Sequence, residues 1–155
     1  MPSEPVSENI LADLKSTFEG ITADATTWTT VRKAYIGDGV PVAEHVEPAV
    51  YITATYTDMD GEGETLVEAI RHILFVEAKL ILRTRDENES TQLERFIGDA
   101  IKAVYADTTR GGNAVKTIIE DVDRSQPGPF EGVIMAVMRM RVTFRTSTAD
   151  LATSF

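Results

Sequence analysis

The chain has 155 residues, 43% of them hydrophobic and 26% charged, which fits one ordinary folded domain and excludes both a disordered chain and a fibrous repeat. It contains no cysteine, so disulfides, thiolate nucleophiles, zinc ribbons and iron–sulfur clusters are excluded. The formal net charge of -10 is uneven: residues 1–70 hold 13 Asp/Glu and 3 Lys/Arg, while residues 71–155 hold 12 of each, a balance that repels nucleic-acid phosphates and argues against a DNA-binding module.

Residues 1–6 carry Pro2 and Pro5 without periodicity and read as a flexible tail, ahead of a single domain over 7–146. Ser7 is placed to cap a helix whose apolar positions Ile10, Leu11, Leu14, Phe18 and Ile21 share one face, with Glu8 in its first turn. Gly20 and the threonine-rich stretch after it end this helix, and Trp28 to Ile36 reads as a strand from its β-branched and aromatic content. After Gly37, Gly39 and Pro41, the run Ala49 to Tyr56 predicts a second strand, stopping at an acidic turn from Asp58 to Glu64.

Ile70 to Arg85 confines its charges almost wholly to odd positions, so a long strand is favoured over a helix. At about 3.3 Å per residue it exceeds what a small domain needs, and part of it is expected to project or bend, with an intersubunit role. Leu93, Phe96, Ile97, Ala100, Ile101, Val104 and Tyr105 give the second amphipathic helix, capped by Ser90 or Thr91 and ended before Gly111-Gly112-Asn113. Ala114 to Val122 and Val133 to Thr146 close the pattern as strands, the latter with Ile134, Ala136, Met138, Met140, Val142 and Phe144 inward. Arg139, Arg141 and Arg145 fall on its other face, and 147–155 read as a C-terminal extension. Strand following strand predicts an α+β fold: a largely antiparallel or mixed sheet of four to five strands with both amphipathic helices packed on it.

No motif for catalysis stands out. The two histidines, His45 and His72, lie in no recognisable arrangement, and neither a G-x-S-x-G elbow nor an H-E-x-x-H pair is present. The stretch Asp58, Asp60, Gly61, Glu62, Glu64 resembles the start of a calcium loop but puts Ala69 where the closing bidentate carboxylate belongs, so it reads as a solvated turn. Asp121 and Asp123 alternate on one strand face without an environment that tunes an acid. Arg83, Arg85, Arg139, Arg141 and Arg145 form a basic stripe if their strands adjoin, with acidic residues of the sheet or of a neighbouring subunit as partners. No catalytic, cofactor-binding or metal residue is assigned, and no enzymatic activity is expected.

The order of elements, from the helix Ile10 to Ile21 through Trp28 to Tyr35, Pro48 to Ile52, Leu80-Ile81-Leu82-Arg83, Leu93 to Tyr105 and the closing Val142 to Arg145, resembles the tail terminator, or tail completion, family of long-tailed bacteriophages. The resemblance implies a structural virion protein, without active site or cofactor. Its subunits would close into a ring, hexameric by that likeness, on the head-proximal end of the tail tube. The ring would be assembled in the host cytoplasm, stop tube growth, meet a head-completion or connector protein and let genome DNA pass without specific binding. An acidic lumen suits that passage. The candidate subunit-interface or lumen residues are Asp58, Asp60, Glu62, Glu64, Arg83, Arg85, Arg139, Arg141 and Arg145. Two alternatives stand beside it: a head–tail adaptor or other neck protein, and a small cytoplasmic enzyme or ligand-binding domain.

Overall fold

Alternation of apolar and charged residues, sustained over two long stretches, builds the centre of the molecule. The computed structural model describes residues 5–37, 48–60, 69–83, 89–124, 128 and 132–147. In chain order these form α1 (Val6–Glu19), β1 (Lys33–Ile36), β2 (Ala49–Asp60), β3 (Ala69–Arg83), α2 (Glu89–Ala106), β4 (Lys116–Asp123) and β5 (Val133–Ser147). The strands make one five-stranded sheet in the order β1-β2-β3-β5-β4. Only β1 and β2 run parallel; the other pairings are antiparallel. The expected α+β fold with a mixed sheet and two helices is therefore the observed one.

Both helices lie on the same face of the sheet. The even positions Leu74, Val76, Ala78 and Leu80 of β3 sit in register with Val142, Met140, Met138 and Ala136 of β5. These join Ile10, Leu14 and Phe18 of α1 and Phe96, Ile97, Ala100 and Val104 of α2 in one cluster, with Ala34, Val50 and Ile52 beneath α1. Small opposite large, as in Ala78 beside Met138, lets the two strands present an even surface to the helices.

Several local expectations are corrected. Ser7 is not the cap: α1 starts at Val6, Pro5 holds the N-cap position without a side-chain cap bond, and the amides of Glu8 and Asn9 donate to the Pro5 carbonyl at 3.0 and 3.2 Å. Val6 enters the core at 1% exposure. Trp28 to Arg32 are not strand, because the Trp28 and Thr29 amides donate to the Asp99 carboxylate at 2.9 and 2.8 Å instead of to a neighbouring strand. Asp58 and Asp60 are not turn residues but the end of β2, paired with Ile73 and Arg71. Ser90 and Thr91 lie inside α2, which begins at Glu89. All of the β3 residues from Ala69 to Arg83 pair with β5. The expectations for His45, Glu62, Glu64, Arg85 and residues 148–155 fall outside the described residues.

Two register shifts shape the flanking strands. In β2 the pairing skips between Ala54 and Tyr56, and in β4 between Ile119 and Asp121. Thr55, the extra residue in β2, donates its hydroxyl to the Phe75 carbonyl at 3.1 Å. Each bulge inverts the parity of the strand beyond it.

Past α2 the chain turns through Arg110, Gly111 and Gly112 at φ of 51, 67 and 87 degrees. Asp107 holds this turn, accepting from the Thr109 amide and hydroxyl at 2.8 and 2.6 Å and from the Gly111 amide at 2.8 Å. Those donors favour the carboxylate and hold its pKa at about 2. The wholly buried Arg110 side chain turns back to donate to the Val104 carbonyl near the end of α2 and to the Thr17 hydroxyl of α1 at 3.2 Å, and it lies 3.3 Å from Asp13. One guanidinium thus pins the two helices together and satisfies a terminal carbonyl.

Two outcomes test this packing by urea unfolding. Phe96→Ala is expected to cost about 3–5 kcal/mol through the cavity it leaves. Arg110→Met is expected to cost about 1–3 kcal/mol by leaving the Val104 carbonyl without a partner.

Candidate interaction surfaces

The face of the sheet opposite the helices carries the candidates Arg83, Arg139, Arg141 and Arg145. Arg139 of β5 is in register with Glu77 of β3 on one side and Asp121 of β4 on the other. Its guanidinium lies 3.4 Å from Glu77, 2.8 Å from Asp121 and 3.9 Å from Asp123. The hydrogen bond it donates to Asp121 leads the effects that raise its pKa. Arg141 lies 3.4 Å from Glu120, the bulged residue of β4. The acidic partners of these arginines are therefore within the sheet, and Asp121 and Asp123 are ion-pair partners rather than an acid–base couple.

The expected basic stripe is divided. Arg83 pairs with Val133 at one end of the β3–β5 ladder, whereas Arg145 pairs with Arg71 near the other. Arg83 is thus separated from Arg139 by six positions, roughly 20 Å along a strand. Near Arg83 the same face holds a small apolar cluster of Ala49, Tyr51, Ile81 and Val133, packed with Tyr35 and Met135. Tyr35 stacks on Tyr51 with ring centres 4.6 Å apart, and Lys33 sits 5.0 Å from the Tyr35 ring. This patch gives the sheet a second core.

His72 is on the helix face, stacked on Phe144 at 4.8 Å with its Nε2 2.8 Å from the Thr146 hydroxyl. That is the structural role its position suggests. Burial lowers its pKa below the ordinary 6.5.

A second surface lies where the segment leading into β1 meets α2, and it escaped the sequence. Trp28, the only tryptophan, is 66% exposed. The guanidinium of Arg95 on α2 covers its ring at 4.0 Å. Both border an open cleft of about 560 Å³ that also meets Thr30, Arg32, Pro48 and Leu82. The loop bearing the tryptophan is held from below. Asp99, buried among the apolar residues of α2, accepts its two amides, and Lys102 donates to the Thr26 carbonyl and hydroxyl at 3.3 and 3.0 Å. Asp24 accepts from the Thr26 amide at 2.7 Å, closing a local turn. The one signal available in sequence was an acid set inside the apolar arc of α2, between Phe96 and Ala100.

Among the described residues, no group of three or more His, Asp or Glu side chains is arranged to hold a metal ion, and no helix is long and apolar enough to cross a membrane. No known protein family and no curated protein sequence matches the chain.

Three outcomes test these surfaces. Arg139→Glu would set a fourth carboxylate among Glu77, Asp121 and Asp123, so a lower midpoint of thermal unfolding is expected, with Arg139→Gln between it and the parent. For His72 the unfolded chain binds protons more readily than the folded one, so its contribution is complete above about pH 6.5 and is lost as pH falls below it. Denaturant midpoints measured between pH 7 and pH 5 should decline, and the decline should be shallower in His72→Gln. Asp99→Ala is expected to speed amide exchange at Trp28 and Thr29 while leaving β3 and β5 protected.

Proposed function

We propose that the protein is a structural subunit of a bacteriophage tail, a terminator that forms a ring at the head-proximal end of the tail tube, stops its growth and joins it to the head. The observation that carries this reading is the sidedness of the sheet, together with the element order that resembles that family. Both helices are spent on one face. The other face displays a lattice of half-exposed charges, with Glu77, Arg139 and Arg141 on its longest strands, next to an apolar patch. A charge-ordered sheet face of this kind suits contact with other protein subunits better than it suits enclosing a small substrate.

In this role the ring contacts the tube protein on one side and a head-completion or connector protein on the other. The acidic balance of residues 1–70 keeps passing DNA from adhering. Negative-stain electron microscopy of the purified protein mixed with isolated tail tubes tests the proposal. Rings or caps confined to one tube end are the expected result; dispersed subunits with bare tube ends would overturn it.

A further inference from the structure

Resting on the ring reading, we propose that the cleft beside Trp28 receives the acidic segment 58–68 of a second copy of this chain. The cleft has the composition of a protein-binding hot spot, with a tryptophan and an arginine in its lining. It is also preorganised. The buried Asp99 and the Lys102 contacts fix the loop before any partner arrives, so little ordering is lost on binding.

Charge selects the occupant. Arg95 finds no carboxylate among the described residues and lies instead against the Trp28 ring. Residues 58–68 carry Asp58, Asp60, Glu62, Glu64 and Glu68 with no Lys or Arg, and Leu66-Val67 supply an apolar pair to set against Trp28, Pro48 and Leu82. Acid matches guanidinium and aliphatic matches indole.

Chain length excludes an intramolecular match. Pro48 lines the cleft immediately before β2 begins, and the acidic segment leaves from the other end of that strand. The 12 residues of β2 span roughly 40 Å. Asp60 pairs with Arg71, so the ends of β2 and β3 lie close together, and a chain of eight residues joining them is long enough to reach at most about 16 Å from those ends. A segment that cannot reach its own cleft can reach a neighbour's. This head-to-tail relation, one surface meeting a different one, is the kind that closes into rings.

Because Trp28 is the only tryptophan, its fluorescence reports this cleft alone. A synthetic peptide of residues 58–68 titrated into the full-length protein is expected to shift Trp28 emission saturably. Affinity should fall with added salt and drop more than tenfold in Arg95→Glu, a variant whose circular dichroism and melting should match the parent. An emission that stays constant up to millimolar peptide overturns the inference, as does equal binding by a scrambled peptide of the same composition. Trp28 emission is then followed against protein concentration alongside sedimentation. Coincident transitions support the cleft as the subunit contact, whereas rings or tube caps that form with unchanged emission overturn this contact and leave the ring reading standing. Peptide binding without tube capping separates the opposite case.

Discussion

Fifteen residues of β3 face fifteen of β5 without one register shift, from Ala69 opposite Ser147 to Arg83 opposite Val133. Every other element takes its place from that ladder. It sets which side chains of each strand face the helices, and the two apolar stripes of α1 and α2 have only that face to cover. It also leaves β2 and β4 as flanking strands that must match a template already fixed, and both do so by inserting one residue.

Those insertions account for the charge pattern. Before the β4 bulge, Ile119 is in register with the core residue Met140; after it, Val122 is in register with the core residue Met138, and Asp121 and Asp123 fall opposite Arg139 and Val137. Had the pairing run on unshifted, with residue 120 opposite Arg139, both aspartates would be turned toward the helices, where a carboxylate without a partner costs several kcal/mol in order of magnitude. The bulge thus keeps the acids of β4 on the face where the Arg139 guanidinium lies. In β2 the inserted Thr55 resets the parity in the same way, and Asp58 and Asp60 come into register with Ile73 and Arg71.

What was legible in the sequence was whatever is encoded within one element. The stripe from Leu93 to Val104 and the parity of residues 70–83 and 133–146 depend on neighbours three, four or two positions away, and they were read correctly. Trp28 was misread because its backbone is held by Asp99, 71 residues on, a contact that leaves the strand-forming composition around it intact. The limits of the acidic turn were misread because the pairing that extends β2 through Asp60 is made by β3. The partners of Arg139 depend on the position of a bulge that alternation alone does not announce. The cleft draws on residues near 28, 48, 82 and 95, which no linear pattern unites.

The central ladder joins positions 50 to 78 residues apart in the chain. Long closures of this kind form slowly, since the entropy of bringing distant segments together is lost before pairing compensates it. For a chain emerging from the ribosome the consequence is sharper. β1, β2, β3 and α2 are all synthesised before β5 exists, so the apolar face of β3 waits for its middle partner while the rest of the domain is being made. α2, which comes after β3 in the chain and packs on the same face, is the element in position to shelter it during that interval.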